Sequence, residues 1–186
     1  MEKIGFFGGS FNPPTIAHLK IVEFSLKEFG LDKVVIVPMG DKYEKSELIS
    51  FNNRFNMLQR IFENNDRVEI SRMQENQKQK SYAIDCFEKI DNKYKASENF
   101  FIMGLDNYNN ISNWKDAEKL LENYKYIVFK RGNNKVQKNN QNTYFVNSFY
   151  NISSSDVRKK IKNNRNLEQF ITKDVIKFIN ENNLYK

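Results

Sequence analysis

The chain has few of the residues most used for metal and covalent chemistry. Among 186 residues there is one cysteine, one histidine and one tryptophan, with three prolines and seven glycines. Cys86 alone excludes an internal disulfide framework and a Cys-based zinc site. His18 alone leaves no histidine cluster for a catalytic metal, and no Ser–His pair that does not use His18. No apolar run approaches the roughly 18 residues of a membrane span, so no membrane partner is expected. The opening Met1-Glu2-Lys3-Ile4 lacks a basic n-region and a long apolar stretch, so a cytoplasmic location is expected rather than export.

Hydrophobic residues make up 39% of the chain and charged residues 28%, with sixteen phenylalanines and nine tyrosines. That composition suits a globular domain with a sizeable core, and the length suits a single domain over 1–186. Thirty Lys and Arg against 23 Asp and Glu give a net charge of +7, which favours anionic partners. Residues 132–142 (GNNKVQKNNQN) are low in complexity and read as an exposed loop.

Apolar patterning alternates strands and helices. Lys3–Phe7 reads as a buried strand, Thr15–Phe29 as a helix stopped by Gly30, and Val34–Val37 as a second strand ended by Pro38. Helices are expected over Phe51–Phe62, Tyr82–Ile90, Trp114–Leu121, Ser154–Lys162 and Asp174–Asn182. Strands are expected over Val68–Ile70, Phe100–Met103, Tyr126–Phe129 and Tyr144–Val146. This order predicts an α/β fold with a doubly wound parallel sheet.

In such a sheet, ligands bind beyond the carboxyl ends of the strands. The first such loop, Gly8 to His18, offers two glycines followed by a helix start. Both suit a phosphate, although the loop is neither a Walker loop nor a GxGxxG turn. Asp106 follows a buried strand in a similar position. Ser153-x-x-Asp156 is a plain capping box that is also compatible with ligand binding by the serines behind it.

Gly9-Ser10-Phe11-Asn12-Pro13-x-Thr15-x-x-His18-Leu19 resembles the signature of the nucleotidyltransferase superfamily with a (His/Thr)-x-x-His motif, and more narrowly the nicotinamide/nicotinate mononucleotide adenylyltransferases. Further blocks follow in the family's order. They are Pro38-x-Gly40-Asp41-x-Tyr43-x-Lys45 with Arg54 downstream, Gly104-x-Asp106 with Trp114-Lys115, Ile152-Ser153-Ser154-Ser155-x-Val157-Arg158, and Val175–Tyr185. Thr15 stands where many bacterial members carry histidine, and Ala17 where glycine is usual.

The resemblance implies a Rossmann-like nucleotidyltransferase fold and adenylyl transfer from ATP to a pyridine mononucleotide. Both nicotinate and nicotinamide forms are expected to react, with any bias toward nicotinate. It further implies His18, Thr15 and Arg158 as catalytic residues. ATP contacts would come from Gly9, Ser10, Phe11, His18, Gly104, Asp106, Ser154, Ser155 and Arg158, and mononucleotide contacts from Lys45, Trp114 and Arg131. Mg2+ would arrive on the ATP phosphates, without a dedicated protein site. An oligomer is possible.

Two rivals remain at this stage. One is a pantetheine-phosphate adenylyltransferase, against which Gly40-Asp41-x-Tyr43 and Trp114 argue. The other is a basic nucleic-acid-binding module. Its basic stripe with interleaved aromatics is not seen, because charges are spread along the chain, so no nucleic-acid partner is expected.

Overall fold

The structure, a computed structural model, describes residues 2–42, 47–77, 82–96, 98–130, 135–137, 139–147 and 150–186. Six strands form one parallel sheet: β1 (Lys3–Gly9), β2 (Lys33–Pro38), β3 (Val68–Ile70), β4 (Glu98–Gly104), β5 (Lys125–Lys130) and β6 (Thr143–Asn147). Their order is β3-β2-β1-β4-β5-β6, so the direction of winding reverses between β1 and β4. The helices are α1 (Ile16–Glu28), α2 (Phe51–Phe62), α3 (Ala83–Tyr94), α4 (Leu105–Asn109), α5 (Ala117–Asn123), α6 (Ser154–Lys162) and α7 (Lys173–Glu181).

Alternation along each strand decides which helices cover which face. Ile4, Phe6, Val35, Val37, Phe101 and Met103 point to one side, where they meet Ile84, Phe87 and Ile90 of α3. Phe7, Val34, Ile36, Phe100 and Ile102 point to the other, against Ile21, Val22 and Leu26 of α1 and Leu58 of α2. Each fully buried side chain of this kind contributes roughly 1.5–3 kcal/mol. A third cluster packs α2 through Met57 against Val157 of α6 and Val175 and Phe178 of α7. It brings the late helices back to the loop after β1. There is no room for a larger residue at Gly5, where a Cβ would sit 2.7 Å from Leu31 and 2.8 Å from Ile102.

The expected helix over Trp114–Leu121 is corrected. A short 3-10 turn (Ile111–Asn113) precedes Trp114, which is extended, and Asp116 is left-handed at φ 53°, so α5 begins at Ala117. Tyr82 caps α3 rather than opening it, and α3 runs on to Tyr94. Between β5 and β6 the described residues contain no helix, although the two strands are parallel.

Candidate active site

The loop between β1 and α1 is fastened from several directions. Phe11 has φ 47°, an unusual conformation for a bulky residue. Its ring folds back against Phe7, Gly9 and His18. The centroid distances to Phe7 and His18 are 5.4 and 5.1 Å, and a Cβ on Gly9 would stand 3.1 Å from the ring. The Asn12–Pro13 peptide is cis. Three carbonyls of the loop find donors elsewhere in the chain. Arg54 Nη1 donates to Ser10 O (3.1 Å), Arg158 Nη1 to Asn12 O (2.9 Å) and Ser154 Oγ to Pro13 O (2.8 Å). A trans peptide sets C=O and N–H on opposite sides, so the Phe11 N–H points away from Arg54.

His18 lies at the third position of α1, and its ring reaches back to the start of the helix. The Thr15 N–H donates to Nδ1 at 2.9 Å, and Thr15 Oγ1 lies at the same distance. A backbone N–H can only donate, so in the neutral ring Nδ1 is the acceptor and Nε2 carries the proton. Thr15, fully buried, therefore fixes the tautomer and the ring plane of His18. It orients the histidine and is itself shut away from the cleft.

Arg54 was legible only as part of a motif, and its position explains why it is needed. Its side chain is 0% exposed, and it binds Ile49 O through Nε (2.9 Å) and Asp41 Oδ1 through Nη2 (2.7 Å) as well as Ser10 O. Burial pulls its basicity down, and the Asp41 carboxylate pushes it back up. Asp41 Oδ2 in turn accepts from Phe51 N at the start of α2 (3.0 Å). One buried cation thus ties the loop after β1 to the segment after β2. A sequence signal existed, because Arg54 falls three residues after Phe51 and four before Leu58, on the apolar stripe of α2.

Beside this loop lies a cavity of about 410 Å³. It shares Gly8 and Gly9 with the loop, and its walls come from Met39, Cys86, Met103 and Trp114. Gly8, one residue before the end of β1, and Gly104, the last residue of β4, lie on either side of the winding reversal. A Cβ on either would meet nothing within 4 Å, so backbone there is open to close approach. Trp114 packs its ring 5.9 Å from Phe101 while lining the cavity. Asp106 sits exposed in the first turn of α4.

The polar wall was not foreseen. Gln74 is buried, accepts from Gly40 N (2.9 Å) and donates to Cys86 Sγ (2.9 Å). Burial pushes the Cys86 thiol up, and the Gln74 contact opposes that. Tyr82, which caps α3, and Ala83, its first residue, also line the cavity. So does Lys115, which pairs with Asp85 at 3.3 Å and lies over the Tyr82 ring. A second hollow of about 430 Å³, beside Tyr108, Leu121 and Asn140, is lined by no charged side chain among the described residues.

Ser154 and Arg158 reach the loop, whereas Ser155 is exposed and accepts a long contact from Arg158 Nη2, at 3.4 Å. Arg158 also pairs with Glu47 (3.1 Å), as does Lys162, and these two cations hold the Glu47 carboxyl below the usual range. Lys45 and Arg131 lie outside the described residues. Among the described residues no three His, Cys, Asp or Glu gather as a metal site, and no helix is long and apolar enough to cross a membrane.

Comparisons agree with this geometry. The cytidylyltransferase-like family model matches residues 6–160. A protein of Fusobacterium nucleatum named "Probable nicotinate-nucleotide adenylyltransferase" is 36% identical over 95% of this chain and 96% of its own length. A protein of Shouchella clausii with the same name is 31% identical over 100% and 97%. The Plasmodium falciparum nicotinic acid mononucleotide adenylyltransferase complexed with NaAD shares the fold at TM-score 0.85 and 22% identity, over 100% of this chain and 98% of that one. With a glycine-edged cleft at the winding reversal, an anchored loop carrying His18 and relatives matched along almost their whole length, the chain belongs to the nicotinate-nucleotide adenylyltransferases within the cytidylyltransferase-like family.

Proposed function

We propose that this chain transfers the adenylyl group of ATP to nicotinate mononucleotide, giving deamido-NAD and pyrophosphate, and accepts the nicotinamide form less well. A 5′-phosphate oxygen of the mononucleotide attacks the α-phosphorus of ATP. The bond from that phosphorus to the bridging β-oxygen breaks, and pyrophosphate leaves with its magnesium. A phosphate monoester is already largely ionised at neutral pH, with a second pKa of about 6, so no general base is needed. The protein positions the reactants and stabilises charge.

In this reading His18 Nε2–H and the Phe11 N–H donate to oxygens of the reacting phosphate, with Gly9 and Ser10 giving the backbone room to approach. Thr15 holds His18 in its donor tautomer. Arg158, with Ser154 and Ser155 at the start of α6, takes the β- and γ-phosphates, where the helix dipole also favours anions. For that the triphosphate must displace Glu47 from Arg158. Gly104 and Asp106 face the ATP sugar, whose hydroxyls the Asp106 carboxylate accepts. Mg2+ comes as part of MgATP and needs few protein oxygens. Trp114 stacks on the pyridine ring, while Lys45 and Arg131 hold the mononucleotide phosphate. The cytoplasmic setting belongs to the same proposal.

The observation that carries this reading is that the anchored loop and the 410 Å³ cavity share Gly8 and Gly9, which supports a phosphate site beside a ring-sized apolar slot. The far wall of that slot carries the start of α3 and Lys115, whose charge is shared with Asp85; a substrate carboxylate can compete with Asp85 for Lys115, which an amide cannot do as well. The test is a coupled assay offering ATP with each mononucleotide in turn. We expect dinucleotide from both, with kcat/KM about 10- to 100-fold higher for nicotinate, the size of one charge-assisted contact. No dinucleotide from either would overturn the reading.

A further inference from the structure

We propose that Tyr185 is a positioning residue for the phosphate loop, acting through Asn12. The inference rests on the reading of that loop as the ATP site. Asn12 is only 2% exposed, and four contacts converge on it from distant parts of the chain. Its Nδ2 donates to Glu47 O (2.8 Å), and its main-chain carbonyl accepts from Arg158. Its Oδ1 accepts a long contact from Ile49 N (3.4 Å) and a short one from the Tyr185 hydroxyl (2.9 Å). The tyrosine contact is therefore the strong half of what holds that side-chain oxygen.

Two features make Tyr185 suited to this. It stands in the turn after α7 with φ 63°, and its ring packs on the cluster formed by α2, α6 and α7, so its hydroxyl is delivered from a rigid base. Burial pushes the phenol well up, so the hydroxyl stays a donor throughout the working pH range. The tie is also made to a different atom of Asn12 from the one that Arg158 holds. Once Arg158 turns toward a triphosphate, its hold on the Asn12 carbonyl competes with the ligand. The Tyr185 bond is made to the side chain and is not drawn into that competition. Asn12 stays fixed, and with it the neighbouring Phe11 N–H.

The decisive variant is Tyr185→Phe, which keeps the ring and removes the donor. We expect KM for ATP to rise about 3- to 10-fold, the usual worth of one hydrogen bond, with the mononucleotide KM within about 2-fold. The melting temperature should stay within about 3 °C of wild type. Equal rises in both KM values, or no change in either, would overturn the inference. Adding Tyr185→Phe to Asn12→Ala should cost no further ATP affinity, and an additive loss would refute the route through Asn12. ATP affinity is measured by titration calorimetry as well as kinetics. If the wild-type protein binds ATP but makes no dinucleotide, the reaction assignment fails. A weaker ATP affinity in Tyr185→Phe would then still support the positioning role.

Discussion

One side of the cleft is a single stretch of chain, Gly8 to Pro13 with His18 just beyond. The other draws Met39, Gln74, Cys86, Met103 and Trp114 from separate segments. The first side is polar, and its carbonyls are held by Arg54, Arg158 and Ser154. The second is mostly apolar, with one buried amide in its wall. A phosphate demands donors fixed in direction, because donors that reorient during reaction lose much of their electrostatic advantage. A planar ring demands a slot of the right width, which many side-chain combinations provide. The phosphate side is therefore local in sequence with a distant scaffold, and the ring side is assembled by the fold.

If the two sides divide the work in this way, the largest effect belongs to His18. His18→Ala should lower kcat about 100-fold or more, the usual cost of one preorganised donor, with little change in melting temperature. Steady-state rates within 10-fold of wild type would take the phosphate loop out of the chemistry. The next contrast is a crossed pair. Arg158→Ala should raise KM for ATP about 10- to 100-fold and spare the mononucleotide. Trp114→Ala should do the opposite, raising the mononucleotide KM by about 5- to 50-fold, as expected for loss of one stacked ring. If either variant moves both KM values equally, the division between the sides is broken.

The smallest effect sharpens the picture. Glu47→Gln removes the carboxylate that pairs with Arg158 and Lys162, so KM for ATP should fall about 2- to 3-fold, in keeping with an exposed ion pair. Because those cations hold the Glu47 carboxyl below its ordinary 4.5, it stays charged at higher pH and lets go only as pH falls below that value. The difference between variant and wild type should thus persist from pH 6 to 8. High salt should shrink it.

The parallel sheet was legible because VVIV and its neighbours are short apolar runs, which only strands buried on both faces need. The phosphate loop was legible because its glycines, His18 and the helix start are contiguous. Trp114 was misplaced on a helix because local periodicity cannot reveal that Asp116 adopts a left-handed backbone. The succession of β5 and β6, with no helix between them among the described residues, was legible from their two apolar runs and the low-complexity stretch between them. Gly40 and Asp41 carried the resemblance, yet among the contacts described they serve architecture. A Cβ on Gly40 would lie 2.7 Å from Gln74 O, and Asp41 holds Arg54. Gln74 stayed hidden, and Arg54 and Tyr185 were visible only as members of blocks, because each acts through a partner that only the fold supplies.

The loop after β1 has a consequence for how the molecule comes into being. Its anchors at Ser154, Arg158 and Tyr185 lie 141, 146 and 173 residues further along. Contacts of such long range carry a loop-closure entropy cost that the packing of the rest of the chain has to offset. The early strands and α1 can pair and pack while Asn12 is still unheld. The geometry of the phosphate loop therefore depends on anchors that lie more than a hundred residues after it, and it is complete only once those anchors have closed on it.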